Sequence, residues 1–275
     1  MGLALFENAR ALSFIYPTPK GDSAMVVASE RSTFLLKHPN HSGLKMGALV
    51  ATLAIATTVV FGCHPFGESA ERYYPLKQGL KWKYRLTVTE LMFPFSGEDL
   101  VTNLALRNFA GRHLTPQMDD VSFGTILGTT LPKQLVVEFY GDDGTGIREF
   151  ASQRDADPEP KPETNYLIKY PIRVGTRWTE QHKTQLLKKD IDVAVVNLIK
   201  STTDQVVAPA GPFSNCIRIK ASGKTAPDKS GNVVSIDDDY WLAPDVGMVK
   251  SLYTEKASDS TRGASVLREL EEFTH

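Results

Sequence analysis

From Trp82 onward this chain is written in short alternations of apolar and polar residues. In "WKYRLTVTEL", Trp82, Tyr84, Leu86 and Val88 alternate with Lys83, Arg85 and Thr87. That period of two predicts a half-buried strand. "WTEQHKTQLL" from Trp178, the β-branched run "DVAVVNLIKS" and "CIRIKASG", with Ile217 and Ile219 opposite Arg218 and Lys220, extend the same reading. Turn residues punctuate them: Ala110-Gly111, Asp142-Asp143-Gly144, a Pro/Gly break at Pro209-Ala210-Gly211, and Asp245 with Gly247. "GASVLRELEEF" reads as a closing strand after a hairpin turn in "EKASDSTRG". With no long amphipathic helix, the fold class is all-β: an antiparallel curved sheet or open half barrel built from two similar meanders.

An internal echo divides that sheet. "YPLKQGLKW" spans Tyr74 to Trp82, and "YPIRVGTRW" spans Tyr170 to Trp178. Both read Tyr-Pro-aliphatic-basic-x-Gly-x-basic-Trp, 96 residues apart. Each predicts a Pro/Gly turn leading into a strand. A single β domain is expected over 73–275, with halves of about 73–165 and 166–275. The Pro- and acid-rich "RDADPEPKPETN", Arg154 to Asn165, is the exposed connection between them. Trp82, Trp178, Tyr240 and Trp241 are possible groove aromatics; for the Trp pair the favoured reading is core packing where a strand enters the sheet.

The N-terminal region follows another logic. Between Lys45 and Glu68 no side chain carries a formal charge, and the apolar run Met46 to Gly62 has 17 residues. It is shorter than a usual spanning helix and longer than a typical secretory core. It ends at Val60-Phe61-Gly62-Cys63, which resembles the bacterial lipobox. There, cleavage between Gly62 and Cys63 leaves an acylated cysteine as the new N-terminus. The chemistry needs a thiolate nucleophile, and a glycine that lets the peptidase approach the backbone. The alternatives are an uncleaved anchor or a buried apolar helix with an incidental cysteine. Residues 46–62 are thus expected to be a signal core and 63–72 a tether. Residues 1–45, of mixed composition without a period, are expected to be a disordered upstream extension from a start assigned too early; translation from Leu44 or Met25 would give a Lys-bearing leader.

Composition adds exclusions. Net charge is -1, and acidic and basic residues do not separate into halves of the sequence, so no nucleic-acid partner is expected. Two cysteines cannot build a disulfide framework or a thiolate metal site. Downstream of Cys63, His64, His113, His182 and His275 lack metal spacing, and the chain carries no nucleophile elbow or P-loop. No metal or cofactor is expected. Asp237-Asp238-Asp239 is read as a solvated turn before a strand at Tyr240 rather than a cation site. Cys216 is read as small-residue packing.

The chain resembles a group of bacterial envelope lipoproteins. The resemblance rests on Tyr73-Tyr74-Pro75-Leu76-Lys77 with Gly79, Trp82 and Tyr84, on Pro209-Ala210-Gly211-Pro212-Phe213, and on Tyr240, Trp241, Pro244, Val246, Gly247, Val249 and Lys250. It implies a periplasm-facing, lipid-anchored β-protein and no established activity, so no catalytic residue is carried over. The expected partners are the membrane, through the lipid on Cys63, and a lipid, peptide or envelope-protein ligand. His64 after the cysteine favours the outer membrane. The leading expectation is a non-enzymatic binding or assembly module. The alternatives are a hydrolase without a local motif, signalled by His113 or His182 beside a carboxylate and a serine, and a purely structural envelope component.

Overall fold

The computed structural model describes residues 4–5, 14–15, 69–90, 93–126, 129–155, 157–184, 186, 191–259 and 263–275. Gly62, Cys63 and the apolar run lie outside the described residues. So does the rest of 1–68, apart from a short antiparallel pairing of Ala4–Leu5 with Phe14–Ile15. Among the described residues no helix is long and apolar enough to cross a membrane.

The fold is a 14-stranded antiparallel sheet. Its first meander comprises β1 (Lys81–Glu90), β2 (Phe93–Asn103), β3 (Arg112–Ser122), β4 (Gln134–Asp142), β5 (Gly146–Arg154) and β6 (Tyr166–Lys169). The second comprises β7 (Arg177–Thr184), β8 (Ile191–Ala208), β9 (Gly211–Lys224), β10 (Val234–Ala243), β11 (Gly247–Ala257) and β12 (Gly263–Thr274). Within each meander successive strands pair with one another, and the two join where β12 pairs with β1, from Ala264 opposite Glu90 to Thr274 opposite Lys81. The pair Arg107–Phe109 lies along β3, and Lys161–Pro162 along β5. The connection over 154–165 is therefore partly tied to the sheet.

The repeat is structural as well as sequential. Gly79 N–H donates to Asn103 O (2.9 Å) and Asn103 N–H to Leu80 O (3.0 Å). Ninety-six residues on, Gly175 N–H donates to Ile199 O (2.9 Å) and Ile199 N–H to Thr176 O (3.0 Å). The register follows: Trp82 faces Val101 as Trp178 faces Asn197. Gly79 (φ 87°) and Gly175 (φ 94°) occupy the left-handed region, which a side chain would strain. This is why both copies keep glycine at that step.

The expected alternation decides burial. Trp82, Tyr84, Leu86 and Val88 are buried, and so are Ala264, Val266 and Leu270 on β12. One apolar cluster joins Leu86, Val88, Val121 and Phe123 of the first meander to Val193, Val195, Ile236 and Tyr253 of the second. The sheet therefore curls until its two meanders share a core. The predicted turns fall in place, with left-handed Ala110, Gly111, Gly144, Asp245 and Gly247. One expectation is corrected: Asp237 to Asp239 form part of β10 rather than a turn. Three successive acids are poor strand formers, but Arg218 on β9 bonds Asp239 (2.9 Å) and Lys220 lies 3.7 Å from Asp237. These cross-strand cations compensate the acids.

The sheet stays open between β6 and β7, and side chains close the seam. Glu180 accepts the Tyr166 N–H (2.6 Å), and the Trp178 indole donates to Tyr166 O (3.2 Å) and to Glu180 (2.9 Å). Tyr240 adds a hydroxyl bond to Leu167 O (3.1 Å). Replacing Glu180 by alanine leaves the Tyr166 N–H without this acceptor, at a cost of about 1–3 kcal/mol. Glu180→Ala is expected to lower the denaturation midpoint and to speed amide exchange over 166–169, while exchange in β1 and β2 stays unchanged.

Candidate functional site: a buried guanidinium and carboxylate cluster

Several inward-facing positions near the start of the domain are polar. On β2 the buried phase reads Asp99, Val101, Asn103; on β3 it reads Thr115, Gln117, Asp119, Val121. Glu138 and Tyr140 follow on β4. From β12, in phase with Val266 and Leu270, comes Arg268. Its guanidinium reaches across β1 to Asp99 (2.5 Å), lies 3.9 Å from Asp119 and stacks 4.1 Å above the Tyr84 ring. Asp99 and Asp119 are each only 2% exposed.

The residues that precede β1 cover this cluster. Ser69 caps the single helical turn α1 (Ala70–Tyr73), whose Ala70 and Tyr73 are buried. The segment expected to be a tether, 63–72, is thus docked from Ser69 onward. Tyr74 donates to Gln117 Oε1 (2.5 Å), and Gln117 donates to Asn103 Oδ1 (2.9 Å). Asn103 donates to Pro75 O and Lys77 O (3.0 and 3.1 Å), and Thr115 to Leu76 O (2.9 Å). The first copy of the repeat is therefore held by the polar inner wall of β2 and β3. Beneath it lies an open recess of about 290 Å³, counting its mouth, lined by Tyr74, Trp82, Tyr84, Gln117, Met248 and Arg268.

The electrostatics are unbalanced. Asp99 and Asp119 share one guanidinium, and Glu138 adds a third carboxyl beside them. Burial first, then the charges of Asp99 and Glu138, push the Asp119 carboxyl well above the usual range, and Arg268 offsets them only in part. Burial also raises Asp99, and Arg268 pulls it back. Burial pulls Arg268 down, but Asp99 and Asp119 outweigh it and raise the guanidinium overall. Among the described residues Asp99 Oδ1, Asp119 Oδ1 and Arg268 Nε have no hydrogen-bond partner.

A second polar network lies at β7 and β11. Buried Glu255 accepts hydroxyl bonds from Thr184 and, at 3.2 Å, from Tyr253; burial raises its carboxyl. His182 Nε2 lies 3.5 Å from Glu180 Oε2. This is the histidine–carboxylate contact expected of a hydrolase, but the neighbouring Thr184 hydroxyl is turned to Glu255 rather than to the imidazole.

The four possible groove aromatics stand at separate places, and Trp82 and Trp178 are packed into the core as favoured for that pair. Trp82 is buried, donates to Val246 O (2.6 Å) and stacks on Phe273. Trp178 and Tyr240 are buried near the seam. Trp241, half-buried, donates to Asp204 (3.0 Å) under the Arg218 guanidinium. Only Trp82 lines the recess. His113 is exposed on β3. Cys216 is buried as a free thiol pushed up to about 11, by burial first and then by Asp204. Sequence reading missed Asp99, Gln117, Asp119 and Arg268. Their signal was polarity on the buried phase of an alternating strand.

No protein-family model matches the chain, and no curated protein matches it. Two solved structures are similar to it at 13% identity and a TM-score of 0.36. One is described as a "putative lipoprotein" from Parabacteroides distasonis ATCC 8503, with 74% of this chain and 98% of that one covered. The other is a "putative exported protein with YmcC-like fold" from Bacteroides fragilis NCTC 9343, with 72% and 97% covered.

The cluster makes a pH prediction. A carboxyl raised in the folded state stabilises the fold fully below its unfolded pKa, and that contribution is lost as pH rises through the folded value. The Asp119 contribution should therefore slope downward as pH rises above the ordinary aspartate range. Asp119→Asn, neutral at every pH, should flatten that slope in denaturation midpoints measured across pH. Identical profiles for the two proteins would contradict the assignment.

Proposed function

We propose that the chain is a lipid-anchored bacterial envelope protein, cleaved before Cys63, whose β domain binds or assembles rather than catalyses. The observation that carries the reading is the junction itself: an uncharged run ends at Val60-Phe61-Gly62-Cys63, and six residues later Ser69 begins the docked turn of the domain. Six residues reach about 20 Å at most. A lipid on Cys63 would therefore hold the domain close to the bilayer.

Three features support a non-catalytic role. The curled interior is occupied by apolar side chains from both meanders. The recess beside Arg268 leaves about 20 Å³ for a guest, room for little more than one water and far below the volumes that ligand pockets have. The Cys216 thiol is buried and raised, the opposite of an activated nucleophile. A filled interior favours a partner engaged on the surface, a peptide or envelope protein, over a lipid enclosed by the sheet.

The test is intact-mass analysis of the native protein with membrane fractionation. The expected mature chain begins at an acylated Cys63 and sediments with membranes, and Cys63→Ser stays joined to Gly62. A native protein with unmodified Cys63 joined to Gly62 would overturn the proposal.

A further inference from the structure

Strand direction sorts the turns onto two ends. Because neighbouring strands are antiparallel, α1, both repeat copies and the β2–β3, β4–β5 and β10–β11 turns fall at one end. The 154–165 connection and the β9–β10 and β11–β12 turns fall at the other. The first end is also cross-linked by α1. Tyr170 OH accepts from Ala70 N (2.9 Å) and donates to Asp142 (2.8 Å), and Arg72 O accepts from Asp245 N (2.6 Å). These turns therefore form one platform where the chain from Cys63 arrives.

The platform is basic and has apolar tips. Lys77 and Lys81 of the first copy, Arg173 and Arg177 of the second, and Arg107 and Arg112 of the β2–β3 connection are all exposed. Among the described residues none of the six has an ion pair. The acids present are engaged or few. Asp142 accepts from Gly144 N and Tyr170, Asp143 from Thr145, and Asp245 lies 3.9 Å from Arg72; Glu71 and Glu272 are exposed. Two of the three most exposed large apolar side chains, Leu106 and Val174, each 63% exposed, stand here beside Arg107 and Arg173. The third, Val207, lies near the β8–β9 tip, which folds back so that Ala210 N–H bonds Leu270 O. The opposite end mixes both signs, with Asp155, Asp157, Glu159 and Glu163 of the connection beside Lys161, Lys224 and Lys229.

We infer that the two repeat loops form a membrane-facing platform that lies on an anionic phospholipid surface. The inference rests on the lipid anchor proposed for Cys63, because that short link is what brings this end to the bilayer. Cations attract anionic headgroups within a Debye length, and exposed apolar tips enter the interfacial region. The basic positions of the repeat then have a task apart from folding: Lys77 matches Arg173 and Lys81 matches Arg177, while the glycine and tryptophan hold each loop's shape.

The experiment is lysine acetylation of the native lipidated protein in nanodiscs, read by mass spectrometry. Lys77 and Lys81 report the platform, and Lys224 and Lys229, exposed at the far end, serve as references. In discs rich in phosphatidylglycerol, Lys77 and Lys81 should react roughly tenfold more slowly than in phosphatidylcholine discs, with Lys224 and Lys229 unchanged. About 1 M salt, where the Debye length is about 3 Å, should remove the protection. So should the double variant Arg173→Glu, Arg177→Glu, whose fold is checked by its denaturation midpoint. An acylated protein whose Lys77 and Lys81 react equally in both lipids overturns this inference alone. An intact mass showing unmodified Cys63 overturns the anchor, and the inference with it.

Discussion

The pairing of β12 with β1 is the constraint on which the rest of the structure depends. It joins strands from opposite ends of the domain and turns two separate meanders into one sheet. It also places Arg268 where a guanidinium can cross β1 to Asp99 and Asp119. Those carboxylates stand beside the Gln117 and Asn103 wall that holds Tyr74 and the first repeat copy. Strand pairing, the buried cluster and the docking of the N-terminal turn thus form one chain of dependence. A buried charge left without its partner is more costly than either charge alone in water. The cluster therefore penalises any register of β12 that leaves Arg268 away from Asp99.

The two halves use one backbone plan with different inner walls. The ladder around Gly79 recurs around Gly175, and the strand registers match at the same offset. Side chains then diverge. Asp99 and Val101 in the first half correspond by offset to Val195 and Asn197 in the second. The first half gains a charged wall over which the N-terminal segment is bound. The second keeps an apolar stretch and spends its polar side chains, Trp178 and Glu180, on the seam. The two halves share the backbone frame, and different polar side chains give each half its own contact.

Much of this was legible in the sequence, for physical reasons. Alternation in "WKYRLTVTEL" reports burial directly, because a strand's side chains alternate faces. Gly79, Gly111, Gly144, Gly175 and Gly247 marked turns because they adopt φ values that other residues avoid. Arg268 was harder to read. In "VLREL" it stands in phase with Val266 and Leu270, but only the pairing of β12 with β1, about 180 positions apart, reveals the carboxylates it meets. Asp237 to Asp239 misled for a related reason: the cations that make a strand of three acids tolerable lie on β9, out of local view. The seam was illegible because it is made of side chains reaching backbone groups across a gap that no alternation encodes.

The β12–β1 junction makes both meanders one cooperative body. Native-state hydrogen exchange resolved by segment tests it most directly. Amides of 81–90 and 263–274 should exchange last and together, with the free energy of global unfolding, and the inner strands of both halves should share that value. Two distinct opening free energies, one for β2 to β5 and another for β8 to β11, with the junction exchanging early, would contradict it.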